Sequence, residues 1–126
     1  MKHEAKFTIE FRHWLKENPF ISSAAFELKY TLTDSLAFIA VRPHQRDALL
    51  AAKHNSILYK APDDSMGMKP FDLFYLVKSQ AFVVIRYPEF FCLIDIDDFL
   101  KEERQSERRS LTSERARSIA ILSVYV

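Results

Sequence analysis

The chain has 126 residues, 48% of them hydrophobic, and 18 basic against 17 acidic side chains give a formal net charge of +1. That length suits one domain able to bury roughly two-thirds of its unfolded surface, and so even a charge balance means that any basic footprint for nucleic acid must be local. A single glycine, Gly67, argues against the Gly-rich phosphate loops of nucleotide enzymes, so no nucleotide cofactor is expected.

The N-terminal residues Met1 to Lys6 carry no signal pattern and no apolar run approaches a membrane span, which points to a cytoplasmic protein without a membrane partner. Phe7, Phe11, Trp14 and Leu15 recur at the spacing of one helix face and predict a helix over 4–17, ended by Asn18-Pro19. Glu10 lies at the margin of that stripe, where a solvated helix carboxylate is the ordinary reading. Residues 22–31 predict a strand, Thr33-Asp34-Ser35 a turn and Leu36 to Val41 an extended apolar stretch. Pro43 opens a second helix reaching His54, with Ala48, Leu49, Ala51 and Ala52 as core candidates and His44 and Gln45 in its first turn, the end that favours anions.

A strand over 56–61 and a polar loop over 62–69 precede two strands, 71–77 and 81–87, that read as a hairpin joined at Lys78-Ser79-Gln80. The unbroken apolar run of 81–87 marks a strand buried on both faces. Phe90 to Ile96 predicts another strand, in which Cys92, unable to form an internal disulfide, is a small buried hydrophobe of a reducing compartment. Asp95, Asp97 and Asp98 suit the cap of a following charged helix or turn. Ser110 to Glu114 resembles a helix start, and the final apolar run 119–126 fits either a helix continuation or a last strand.

Chemistry concentrates in Phe26-Glu27-Leu28-Lys29-Tyr30-Thr31. Strand alternation sends Phe26, Leu28 and Tyr30 to one face and Glu27, Lys29 and Thr31 to the other. A carboxylate and an ammonium two positions apart can hold a metal ion beside a water or a phosphate, and they equally suit the wet face of an edge strand. Asp72, at the start of a hydrophobic strand, is costly to bury unless paired or metal-bound. The four histidines have no zinc spacing with the lone cysteine, and Asp63-Asp64 suits a solvated turn. The basic stretch Lys101, Arg104, Arg108, Arg109, Arg115 and Arg117 could track a phosphate backbone, but the glutamates interleaved with it suit a solvated, salt-bridged face.

With Glu27-Leu28-Lys29, the extended stretch 36–41, His44-Gln45 on the next helix and the strand pair 81–87 and 90–94, the chain resembles the PD-(D/E)XK nuclease superfamily and, within it, the RecU-type Holliday-junction resolvases. The resemblance implies an α/β fold with a restriction-endonuclease-like core, a central mixed β-sheet flanked by helices. It also implies a Mg²⁺-dependent endonuclease, with Mn²⁺ as a substitute ion, acting on branched DNA in recombination or repair as a homodimer. Carried over residue by residue, the catalytic set is Glu27, Lys29, Asp72 and Gln45. Glu27, Asp72 and Glu10 are the metal ligands, and Arg42, His44, Lys60 and Lys69 the DNA contacts. The family's metal-binding Asp lies upstream of E-x-K on the neighbouring strand. This chain has no Asp between its first helix and Glu27, so the expectation is that strand 71–77 brings Asp72 beside Glu27, within one chain or across a dimer. The alternative is a non-catalytic nucleic-acid or protein-interaction module on the same fold.

Overall fold

The computed structural model describes residues 3–19, 24–54, 57–62, 72–77 and 79–126, the side chains of 57–62 and 72–77 excepted. In chain order the elements are α1 (His3–Glu17), β1 (Ala25–Tyr30), β2 (Ser35–Ala37), a 3₁₀ turn (Phe38–Ala40), α2 (Pro43–His54), β3 (Ile57–Pro62), β4 (Asp72–Val77), β5 (Ala81–Arg86), β6 (Phe90–Asp95), α3 (Ile96–Gln105), β7 (Ser110–Thr112), α4 (Ser113–Ile119) and β8 (Leu122–Tyr125).

β5 has no polar side chain before its last residue, so it can sit only where both faces are covered and both edges paired. It does so: the central sheet runs β1-β5-β6-β8, with β5 parallel to β1 and antiparallel to β6. The protein is thus α/β with a mixed central sheet flanked by helices. On one face Phe82, Val84, Phe91 and Leu93 pack with Phe7 and Phe11 of α1, joined by Phe26, Leu28 and Tyr30 of β1. On the other, Ala81, Val83, Ile85, Cys92 and Ile94 pack with Leu49 of α2, Phe99 of α3 and Ala116 of α4. The alternation expected of β1 is therefore present, its apolar residues facing α1.

Three expectations are corrected, and one alternative left open by the sequence is decided. Strands 71–77 and 81–87 do not form a hairpin; β4 pairs antiparallel with β3 in a separate two-stranded sheet, and β5 turns back through Tyr87 to Glu89 into β6. Between β1 and β6 the doubly apolar β5 has both edges paired and both faces covered, which a two-stranded hairpin with β4 would not provide. The stretch 36–41 is extended only to Ala37, after which the 3₁₀ turn buries Phe38 and Val41 and leaves Ile39 77% exposed. Ala48 and Ala51 of α2 face solvent, and Leu50 packs against the core in their place. The final run is resolved as a strand, β8, paired with β6.

Side-chain clamps hold the helical layer. Arg46 of α2 donates to the carbonyl oxygens of Val41 and Phe38 at 2.8 Å each and to both oxygens of Glu103 in α3 at 2.6 and 2.9 Å, its guanidinium over the Phe99 ring. At the other end of α2, Lys53 contacts Asp95 at 2.7 Å and Asp97 at 2.6 Å, and His54 meets Asp97 at 2.7 Å. Asp95 is also the N-cap of α3, accepting from the Asp97 N–H, as its position in the sequence suggests. The hydrogen bond from Lys53 holds the Asp97 carboxyl below its ordinary value, against a smaller opposing effect of burial, with His54 adding to the lowering. Burial acts to lower the Lys53 pKa, but the hydrogen bonds to Asp95 and Asp97 outweigh it and raise it.

Three outcomes are expected. Phe11 contacts the rings of Phe7, Trp14, Phe26 and Phe91, so Phe11→Ala destabilises by about 3–5 kcal/mol in denaturant unfolding. Burial pushes the Cys92 thiol up to about 12, so in the folded protein it stays inert to a thiol reagent at mildly alkaline pH and reacts once denaturant is added. A carboxyl with a depressed folded pKa stabilises above its unfolded value and loses that contribution as pH falls through the folded one. Asp97, with an ordinary value of 3.8, is partly exposed, so solvent screening keeps its share at about 1 kcal/mol or less. The melting-temperature gap between wild type and Asp97→Asn is therefore widest near neutrality and closes as the pH is taken well into the acid range.

Candidate functional site

Glu27 and Lys29 project from the α2 side of β1, the face on which Ala25 joins the core under α2 and α3. They lie side by side, Nζ to Oε1 3.5 Å, with side chains 27% and 19% exposed respectively. Half-burial lowers the local dielectric around the pair, so each charge acts on its neighbour more strongly than it would on an open surface. In a parallel ladder alternate residues turn both backbone groups to the partner strand. The Ala25 N–H bonds Gln80 O and the Thr31 N–H bonds Arg86 O, so the odd positions of β1 face β5. Phe26, Leu28 and Tyr30 consequently aim their N–H and C=O groups off the other edge, and the Leu28 carbonyl lies between the two charged side chains along the strand.

The other expected site residues are distributed as follows. Gln45 accepts the Arg42 N–H through its side-chain oxygen at 2.8 Å, the third-position half of a capping box that satisfies an otherwise orphaned donor at the start of α2. This bond uses the amide oxygen and leaves the amide N–H₂ as a donor. Arg42 and His44 are exposed at the same helix start. Because α2 runs back from the end of β1 and its last turn meets the start of β5 through the Ser79 N–H to Ala52 O bond, these residues sit toward the carboxyl end of β1. Glu10 is on the other face of the sheet, in α1, where Arg86 Nε donates to it at 2.9 Å. The structure does not bring Glu10 to Glu27. Asp72 begins β4, whose partner is β3 and not β1; its side chain and that of Lys60 lie outside the described residues, as does the whole of Lys69.

Mg²⁺ retains several waters and takes only one or two protein carboxylates beside substrate phosphate. Glu27 and the outward Leu28 carbonyl are two oxygen donors compatible with such an ion. Among the described residues no group of three or more His, Cys, Asp or Glu is placed to hold a metal, so a site here rests on a sparse protein shell.

Sequence reading missed Arg86 and the surroundings of Tyr30. Arg86 ends the apolar run of β5, and its parity with Phe82 and Val84 places it on the α1 face beside Tyr30. It donates to Glu10 and to the Tyr87 carbonyl, and with His3, Lys6, Tyr30 and Leu32 it lines a cleft of about 360 Å³. The available signal was a charge terminating a buried strand; its helix partner, 76 positions away, leaves no local pattern. No helix among the described residues is long and apolar enough to cross a membrane. Compared with known proteins, the chain matches no family model, no curated protein and no solved structure.

Proposed function

We propose that this protein is a Mg²⁺-dependent DNA endonuclease with a restriction-endonuclease-like core, its site centred on Glu27 and Lys29 of β1. The observation that carries the reading is the pair itself: a carboxylate and an ammonium 3.5 Å apart on a strand that runs parallel to the buried β5 and keeps the Leu28 carbonyl free of that ladder. The crossover from this strand through α2 to β5 supports the reading, although the stretch 36–41, which the resemblance also includes, is extended only to Ala37.

Glu27 and the Leu28 carbonyl would hold the divalent ion, with Asp72 as the further carboxylate the reading calls for. Such an ion supplies Lewis-acid stabilisation of phosphate charge and lowers the pKa of a bound water. Lys29 holds the attacking water or a phosphate oxygen by donating from Nζ. Gln45 offers its amide N–H₂ to the phosphate from the start of α2. The attacking water gives up one proton to solvent as its oxygen forms the new P–O bond, the bridging P–O bond breaks, and the departing sugar oxygen takes a proton from solvent. A homodimer on branched DNA would deliver two matched incisions, since two-fold symmetry duplicates the site.

The same ion pair favours a second reading. A Glu27 and Lys29 that neutralise one another can simply stabilise β1, leaving a non-catalytic nucleic-acid-binding module.

Incubation with branched, nicked and duplex DNA in Mg²⁺ or Mn²⁺ separates the two. Cleavage by the wild type, falling about a hundredfold or more in Glu27→Gln and in Lys29→Met with unchanged melting temperatures, supports the nuclease. Intact substrates throughout, or undiminished cleavage by Glu27→Gln, overturn it.

A further inference from the structure

We infer that the cleft at the carboxyl ends of β1 and β5 is a subsite for a single-stranded, unstacked nucleotide, its phosphate held by Lys6 and Arg86 and its base laid against Tyr30, His3 and Leu32. The inference deepens the nucleic-acid reading of β1 and rests on it.

The location comes first. Parallel strands present their ligand sites beyond their carboxyl ends, and β1 and β5 are the parallel pair of the sheet. The cleft opens there, walled on one side by the first two turns of α1. Its charge is the second point. Lys6 is exposed and forms no ion pair among the described residues, whereas Glu10 is already engaged by Arg86. The Arg86 guanidinium spends Nε on Glu10 and Nη1 on the Tyr87 carbonyl, so Nη2 keeps its donors. A planar guanidinium with free N–H groups beside an unpaired ammonium is a fit for phosphate oxygens.

The third point is the floor. The His3 and Tyr30 rings lie 5.8 Å apart, and Leu32, 67% exposed, extends the apolar surface outward. A ring held on a rigid strand next to a basic rim is the arrangement on which an unstacked base settles, independently of its identity. A volume of about 360 Å³ has room for a base and not for a duplex. Tyr30 follows Lys29 directly, so three residues of strand rise, about 10 Å, separate the Glu27 position from this floor. Because β1 ends the order of the central sheet, a strand of DNA rounding its tip can touch both faces, entering the cleft a few nucleotides from the E-x-K pair.

The test is fluorescence anisotropy in EDTA, where binding is read without cleavage, using a fluorescein-labelled oligothymidylate and a blunt duplex of equal length. The wild type is expected to prefer the single strand. Lys6→Glu weakens that binding about tenfold or more, Tyr30→Leu weakens it while keeping the apolar packing, and Lys16→Glu, the same charge change at the far end of α1, leaves it within about twofold. A preference for duplex, no binding of the single strand, or equal losses in Lys6→Glu and Lys16→Glu overturn the subsite. Lys6 sits on an exposed helix surface, so its variant decides the matter even if Tyr30→Leu fails to fold. Cleavage in Mg²⁺ is scored separately. Binding through Lys6 without any cleavage keeps the subsite and removes the nuclease. Glu27-dependent cleavage with wild-type single-strand binding by Lys6→Glu does the reverse.

Discussion

A strand that is apolar on both faces dictates the architecture. Ala81 to Ile85 are all buried, and such a segment is stable only when strands pair with both its edges and helices cover both its sides. Those conditions place β1 and β6 against it and set α1 on one side with α2, α3 and α4 on the other. They also decide where chemistry can sit. β1, carried at the end of the sheet order, has one backbone edge committed to β5 and the other directed away, which makes it the strand of this pair on which a polar cluster costs least.

The two faces of β1 then take different roles. Glu27 and Lys29 share the α2 side, while Tyr30 shares the α1 side with Arg86 and Glu10. Sheet alternation keeps these groups apart along most of the strand, and they approach one another only near its carboxyl end, where the start of α2 and the cleft beside α1 both arrive. A substrate engaging both sets would have to pass that end. The division also explains why Glu10, which the linear sequence offers as a further carboxylate, satisfies Arg86 instead.

The position of α2 over β1 depends on contacts between distant parts of the chain. Arg46 ties the helix start to the 3₁₀ turn and to Glu103, and Lys53 with His54 ties its end to Asp95 and Asp97. Partly buried ion pairs of this kind lose much of their attraction to the cost of desolvating both partners; their value is geometric, since they fix both ends of the helix that roofs the E-x-K pair. Tyr87 does the same for the β5–β6 turn by donating from its hydroxyl to the Leu111 carbonyl at 2.9 Å.

Local pattern was enough for α1, α2, the alternation of β1, the double burial of β5, the fate of Cys92 and the Asp95 cap, because each is written in spacing that spans a few residues. The same holds for the neighbouring Glu27 and Lys29, whose contact follows from strand geometry alone. Pairing partners were not legible in this way. Whether β4 joins β3 or β5, whether 119–126 continues a helix or adds a strand, and whether Glu10 faces Glu27 or Arg86 are competitions between distant segments for one edge or one charge. Their outcome depends on burying the whole apolar surface at once, and no window of the sequence contains that sum; only the folded chain, with β5 enclosed, decides it.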